Sequence, residues 1–510
     1  MKPFTFENLF VLDLANNHQG EIEHGLAVIE KHGEVVRKCE VRAGLKFQFR
    51  QLDTFIHPDF KERKDIKHIP RFMETALPVD AYGELVDAVH RQGMVSICTP
   101  FDEESVDIIL EMGIEVIKVA SCSASDWPLL KKIAQTNRPV IISTAGLSMS
   151  KIDRLVSYFE YEKAHFALMH CVALYPTPPE KTELNQIDLL KNRFPALTVG
   201  FSTHEHPDNT INIGIAYGKG ARIFERHVGF ETGRHKLNKY SSTPEQIEQW
   251  ITAWKQAVAT CGGDYRAPAD PDETASLRSL MRGVYAKKKI SAGEAIEQSH
   301  VFFSMPLQDD QLASGDFVPG IVANRDYAAG TPLDGSMANL EPSRKDRIFQ
   351  IMLQVKGILN QARIFIGKES AIEISHHYGL EHFREFGAVI ITCINRSYCK
   401  KLIVMLPRQK HPYHFHEKKE ETFQLLWGDV EIELAGNRTK LEQGDIFTVL
   451  GREWHKFHTL DGCVFEEVST THFDNDSFYE DERIARLPRE QRKTQLDNWE
   501  SATRDVIRSR

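Results

Sequence analysis

The sequence predicts an α/β fold: a (β/α)8 barrel over roughly the first half of the chain, followed by two β-rich modules. Three observations carry this reading. Eight short apolar runs alternate with helical or loop stretches between residue 9 and about residue 261. A Gly/Pro/Asp-rich stretch follows them, and short strand-like runs dominate beyond it. A doubly wound open sheet fits the same alternation, because counting strands does not show closure.

The eight runs are Leu9–Leu14, Gly44–Gln48, Met94–Cys98, Glu115–Val119, Pro139–Ser143, Phe166–Cys171, Leu197–Phe201 and Ala221–Glu225. Helical patterns lie between or after them at Ala81–Gln92, Glu103–Met112, Leu129–Thr136 and Pro244–Cys261. The stretch CGGDYRAPADPDE then reads as a linker, which closes a first domain at residues 1–265. Residues 276–342 form a small β-rich module, with RGVYAKKKISAGEAI, VFFSMPLQ and DYAAGTPLDG repeating Gly and Pro without a long helix. A polar stretch, EPSRKDR, precedes a last domain at 349–485 that is mostly short strands, among them AVIITCI, KLIVML, DVEIEL and VFEEVS. Residues 486–510 read as a charged tail, helical or frayed.

Composition narrows the class. At 510 residues the chain exceeds one core, and two to four domains are expected. Hydrophobic residues at 41% and charged residues at 26% are ordinary for soluble globular protein. A net charge of -9 argues against nucleic acid or an anionic membrane as partner. No apolar run approaches the roughly 20 residues that span a bilayer. Asp and Glu interrupt the N-terminal apolar stretch, so a signal-peptide layout is missing. Eight scattered cysteines without a CxxC pair read as reduced thiols, which points to the cytoplasm.

Barrel enzymes place their chemistry at the C-terminal ends of the strands. Applied here, that rule selects Asp13, Asn16, Asn17 and His18 after the first run, then Lys46 and Gln48, Thr99, Lys118 and Ser121. It continues with Ser143 and Thr144, His170 and Tyr175, Ser202 and His204, and Glu225 and His227. Two lysines, several hydroxyls and two metal-capable histidines at one mouth suit a small, highly charged anion together with a divalent ion. Singly, each has a plainer role: a lysine is a surface cation, a serine caps a helix, and His170 beside Ala167–Met169 is a hydrogen-bonded core histidine. Alternation puts Glu225 and His227 on the same side of their strand.

These residues also carry a resemblance. LDLANNHQG, GLKFQ, CTPFDEESVDII, IKVASCSASDWPLL, ISTAGLS, LMHCVALYP, VGFSTHE and IFERH occur in the order seen in the sialic acid (nonulosonic acid) synthases. The resemblance covers residues from about 9 to 261, and the module at 276–342 is similar to the SAF, or antifreeze-like, domain of that family. It implies a TIM barrel and a homodimer, in which that module covers a partner's active site. It further implies that Lys46, Thr99, Lys118, Ser121, Ser143 and Ser202 hold phosphoenolpyruvate, with Gln48, Tyr175 and Glu225 lining the same pocket. His204 and His227 match ligands of a divalent ion, manganese or magnesium, that polarises a sugar aldehyde; an acidic residue, Asp13 or Glu225, would manage the proton beside Lys46.

The chain departs from the family mostly on the sugar side. Asp13 stands where Glu is usual, Ala173 replaces a polar residue, and Thr203 replaces Asp. KLNKYSSTP replaces a loop that carries an Asp-His pair, and Met305 stands where an Arg precedes Pro. The acceptor is therefore expected to be an N-acetylmannosamine-like or differently substituted aldose. Two alternatives stay open: a synthase of another 3-deoxy-2-ulosonic acid, or a barrel that no longer catalyses.

Near the C-terminal end, HFHEKKEETFQLLWG sets His414, His416, Glu421 and Gly428 at H-x-H-x4-E-x6-G, and His455 follows in GDIFTVLGREWH. Alternation turns both histidines of H-x-H to one face, and Glu421 with His455 completes an N3O set for a divalent metal. The spacing resembles the two cupin motifs, with Leu450 and Arg452 where Pro and Gly are usual. The surrounding strands are similar to sugar-isomerase cupins, so interconversion or sensing of a sugar, or a structural role, is implied.

Overall fold

The computed structural model describes residues 4–263, 266–338 and 343–500, and the chain divides at Pro268 and Ala269 into two units. The first unit contains β1 (Leu9–Asp13), β2 (Ala43–Phe49), β3 (Val95–Pro100), β4 (Val116–Val119), β5 (Val140–Ser143), β6 (Phe166–Cys171), β7 (Val199–Ser202) and β8 (Ile223–His227). All neighbours run parallel, and β1 is hydrogen-bonded to both β2 and β8, so the sheet has no edge. Closure gives the (β/α)8 barrel and removes the doubly wound alternative. The runs stand out in the sequence because parallel strands covered on both faces are apolar nearly throughout.

Alternation along these strands sorts the side chains and builds the site. Val11, Ile97, Val116, Ile141, Met169 and Ile223 point inward and pack on one another. Phe10, Leu12, Leu45 and Phe47 belong instead to the core beneath the helices. Two residues beyond each inward apolar side chain come Asp13, Thr99, Lys118, Ser143, Cys171 and Glu225, all buried at the C-terminal rim. On β2 and β7 the inward position is glycine. A Cβ on Gly44 would lie 2.6 Å from the Ile97 side chain, and one on Gly200 2.6 Å from Ile223. Lys46 and Ser202 follow two residues later.

The helices fall close to their expected places. Pro244–Cys261 opens on a capping box between Thr243 and Gln246 and buries Trp250 with its ring 5.5 Å from Phe10. The helix expected to start at Leu129 begins at Trp127, since Pro128 suits a first helical turn.

In the second unit the linker reading is too long. Asp270 accepts a hydrogen bond from the Asp272 backbone and caps a helix at Pro271–Ser279. A small β module follows, in which Gly283–Ala286 pairs with Val301–Ser304 and Ala295–Ile296 with Ile321–Val322, around Val284, Ile290, Leu312 and Leu333. Residues 339–342, at its expected end, lie outside the described residues. The polar stretch before the last domain is more than a spacer, because it starts a helix, Arg344–Gln361. Ser343 caps it in a reciprocal box with Asp346, and Ile351, Met352, Val355 and Leu359 are buried.

The last domain has two antiparallel sheets. Seven strands lie in the order Ile446–Val449, Glu421–Gly428, Cys463–Thr470, Tyr398–Met405, Ala388–Asn395, Ala371–Ser375 and Lys493–Leu496. Five more run Asn437–Leu441, Val430–Leu434, His455–His458, His414–Phe415 and Phe478–Tyr479. Met405, Phe423, Leu425, Ile432, Phe457 and Phe465 fill one core cluster of the two sheets. Gly428 has φ +83°, and a Cβ there would meet the Gly462 carbonyl oxygen at 2.0 Å, which explains the glycine of the motif. The tail reading is corrected for residues 493–496, which pair with Ala371–Ser375 as an edge strand. A four-residue strand among many charges has too short an alternation to stand out; residues 501–510 lie outside the described residues.

Candidate functional site

At the barrel rim, register brings Asp13 level with both Lys46 and His227, and Ser202 level with Glu225. The Lys46 ammonium lies 2.9 Å from Asp13 Oδ2 and 2.9 Å from Glu225 Oε1, and all three side chains are buried. Burial would lower the lysine, yet Asp13 and Glu225 outweigh it and hold Lys46 above its usual range. Burial would likewise raise both carboxyls. Lys46 keeps Asp13 ionised, and Lys118 with Lys46 does the same for Glu225.

Lys118 donates to Ser143 Oγ at 2.5 Å and lies 3.8 Å from Glu225 Oε2. Burial pulls its ammonium below the usual value, with Glu225 only partly compensating. A second negative charge beside Lys118 would therefore be favourable. Ser121 Oγ, in the short turn after β4, accepts from the Ala145 backbone at 3.0 Å. Ser202 is buried on β7, and the buried Thr99 Oγ1 has no hydrogen-bond partner. Gln48 Nε2 reaches Asp13 at 3.4 Å.

His204 directs Nδ1 to the Val172 carbonyl at 2.8 Å, which leaves Nε2 available, and burial lowers the ring to about 4. His227 is lowered by burial against the pull of Asp13, whose Oδ2 is 3.4 Å away. The two rings are 5.4 Å apart. Two neutral imidazoles at this separation suit an ion whose other positions are filled by non-protein oxygens. Tyr175 packs on His204 at 4.2 Å. His170 sits away from this chemistry, bonded to the Thr182 carbonyl at 2.8 Å and stacked on Phe201.

Two further residues join the mouth, and Asn17, already expected at the end of the first strand, ties one of their loops in place. Arg50 bonds Gln48 Oε1 at 2.9 Å while its guanidinium sits between Phe72 and Phe101, 4.1 and 3.7 Å from the ring centres. Burial lowers it to about 10. Its place two residues past Gln48 is the signal that could have found it. Tyr240, from the KLNKYSS loop, packs 5.3 Å from His227 and 5.2 Å from Tyr175. Asn17 Nδ2 pins that loop, bonding Ser241 Oγ at 3.0 Å and the Val228 carbonyl at 2.8 Å. A loop with no periodicity gives no sign of reaching back to β1.

The second cluster lies in the last domain. His414, His416, Glu421 and His455 are buried, and their ligand atoms all lie within 4.8 Å of one another; among the described residues no other such group occurs. His414 Nδ1 faces the Pro412 carbonyl at 3.0 Å, His455 Nδ1 that of Glu453 at 3.0 Å, and His416 Nδ1 that of Asp476. A carbonyl accepts only from N–H, so each ring carries a proton on Nδ1, and Nε2 is the atom left for a ligand. His455 Nε2 then faces Glu421 Oε2 across 3.2 Å, and neither atom has a hydrogen-bond partner. A divalent ion held between them would engage both atoms. The donor set fits a divalent ion.

A closed barrel with a charged rim, joined to a second unit that ends in a two-sheet domain, defines a barrel enzyme with an appended cupin. Residues 34–265 match the NeuB family and residues 401–464 the Cupin domain. A solved Chromobacterium violaceum structure, named for spore coat polysaccharide biosynthesis protein E, is 42% identical, with TM-score 0.63, covering 66% of this chain and 100% of that one. The spore coat polysaccharide biosynthesis protein SpsE of Bacillus subtilis is 26% identical over 62% of this chain and 89% of its own length. The N,N'-diacetyllegionaminic acid synthase of Campylobacter jejuni is 26% identical over 63% of this chain and 97% of its own. The chain belongs to the NeuB family. Since nearly all of the Campylobacter protein is matched by under two thirds of this chain, the rest is an addition relative to it.

Proposed function

We propose that the barrel condenses phosphoenolpyruvate with a sugar aldehyde, giving a nonulosonic acid and phosphate. The observation that carries this reading is the buried pair Lys46 and Lys118 with Glu225 between them, facing the mouth of a closed barrel. Lysines this dry, ringed by Ser121, Ser143, Ser202 and Thr99, suit an anion carrying both phosphate and carboxylate. In the reaction, C3 of phosphoenolpyruvate forms a bond to the aldehyde carbon. Water adds at C2, and the C–O bond to phosphate then breaks. Asp13 and Glu225, both ionised and in contact with Lys46, are placed to manage the proton of the water or the new hydroxyl. His204 and His227 would hold a divalent ion, manganese or magnesium, which when bound supplies Lewis-acid polarisation of the aldehyde.

Gln48 and Tyr175 complete the pocket, and the acceptor is an aldose whose substituents differ from those of N-acetylmannosamine. Ala173, Tyr240 in its rebuilt loop and Met305 support that reading. The module at 283–338 is an SAF domain that serves a partner's active site, so the enzyme acts as a homodimer in the cytoplasm. In the cupin, His414, His416, Glu421 and His455 hold a second divalent ion. Phosphate release from phosphoenolpyruvate, measured across aldoses differing at C2 and C4 with product masses, tests the reading. A nine-carbon product supports it, an eight-carbon acid favours the other ulosonic-acid class, and no sugar-dependent release with any metal sinks it.

A further inference from the structure

His414, His416 and Glu421 open onto a cavity of about 220 Å³ inside the cupin. That is the share of about seven liquid waters at ~30 Å³ each, room for a six-carbon polyol. Its wall is ionic, and each charge already has a partner. Lys419 Nζ lies 2.5 Å from Glu421 and 2.7 Å from Glu467, and Lys401 lies 3.5 Å from Glu467. Lys493 lies 2.7 Å from Glu373, and Arg489 2.8 Å from Asp474. Glu373 also receives Gln495 at 2.7 Å and Arg489 at 3.4 Å. The donors to Glu373 all come from residues 489–495, beyond the segment at 401–464 that matches the Cupin domain.

The wall is thus neutral by itself, four cations against four carboxylates. A divalent ion on the four ligands leaves two positive charges in excess, or one if Lys401, whose ammonium is destabilised by burial, is left out. Excess charge among buried side chains is costly, so the cavity favours an anionic occupant. Gln495 and Ser477 offer hydrogen bonds to hydroxyls, and Phe457 and Tyr479 offer apolar ring faces to C–H groups.

We propose that the cupin cavity binds a small polyhydroxylated carboxylate, a sugar acid of about six carbons, and that residues 489–495 complete the cavity for it. This rests on the reading that the four-residue cluster holds a divalent ion. The test is calorimetric titration of the full-length, manganese-loaded protein with D-gluconate and, separately, with sorbitol, which lacks the carboxylate. The expected result is one gluconate per chain, bound at least ten-fold more tightly than sorbitol. K493Q should weaken gluconate at least ten-fold with metal content unchanged, and E421Q, whose lost ion and lost carboxylate lower the excess by the same single charge, should weaken it at least ten-fold as well. Equal binding of the two probes, no gluconate binding to protein holding its cupin ion, or undiminished gluconate affinity in an E421Q protein that has lost one ion overturns the proposal alone. Manganese content equal in E421Q and wild type overturns the metal reading and this proposal with it.

Discussion

Lys46 Nζ is shared between Asp13 and Glu225, 2.9 Å from each, so one ammonium joins two buried carboxylates on strands β1 and β8, and Lys118 reaches only the second of them, at 3.8 Å. Removing the cation leaves both anions in a dry site. K46M is therefore expected to destabilise the barrel by about 3–5 kcal/mol and to lower phosphate release at least a thousand-fold. Urea unfolding and a phosphate assay on the same preparation check both. An active K46M enzyme would remove this lysine from the anion site.

Strand periodicity makes most of this cluster legible in the sequence. Asp13, Thr99, Lys118, Ser143 and Glu225 each stand two residues past an inward apolar side chain, so polar residues ending apolar runs mark the rim. Closure is not legible, because β1 pairing with β8 is a contact across more than 200 residues that no local pattern encodes. The roles of Tyr240 and Asn238 escape for a related reason: a loop has no period, and it is tied to the mouth by Asn17 and by the backbone of Ser242, which donates to the His227 carbonyl at 2.9 Å. In the cupin the ligands are legible from H-x-H spacing. Lys419, Glu467 and Lys493 read as ordinary surface charges, and only the pairing of the strands puts them inside.

His18 and His32 make the barrel acid-sensitive. Burial lowers each ring to about 4 from an ordinary 6.5. Between those values the unfolded chain binds protons that the folded barrel refuses, so stability rises with pH through this window and is flat above it. Each ring contributes a slope of up to about 1.4 kcal/mol per pH unit. H32L should remove one such slope. Hydrogen exchange of peptides from β1–β8, compared at pH 7 and pH 5, reads it directly, and an unchanged slope in H32L would show that His32 takes up its proton in the fold.

Asp476 holds the cupin cluster together at one remove. Its carbonyl accepts from His416 Nδ1, while its carboxylate accepts from the backbone of Glu417 and Lys418 at 3.1 Å. D476A frees that turn and loosens the ring's orientation. A positioning partner of this kind is typically worth 10–100-fold in metal affinity. Competition against a chelator should show a loss of about ten-fold in D476A, with the ion still bound at saturation; affinity equal to wild type would reduce Asp476 to a turn-forming residue.

Tyr240 separates the two halves of the barrel mouth. Its ring packs against His227 and Tyr175, so under the proposed reaction it belongs with the histidines, on the side where the aldehyde would enter. An aromatic contact is worth about 0.5–1.5 kcal/mol beyond its area, up to about ten-fold in affinity, and Tyr240 makes two. Y240A should raise KM for the aldose about ten-fold and leave KM for phosphoenolpyruvate within about two-fold. Such a split marks binding lost at one substrate only. Y240F, which keeps the ring, should behave as wild type if stacking is what matters. A rise in both KM values would instead mean that the loop holds His227 in place, and through it Asp13 and Lys46.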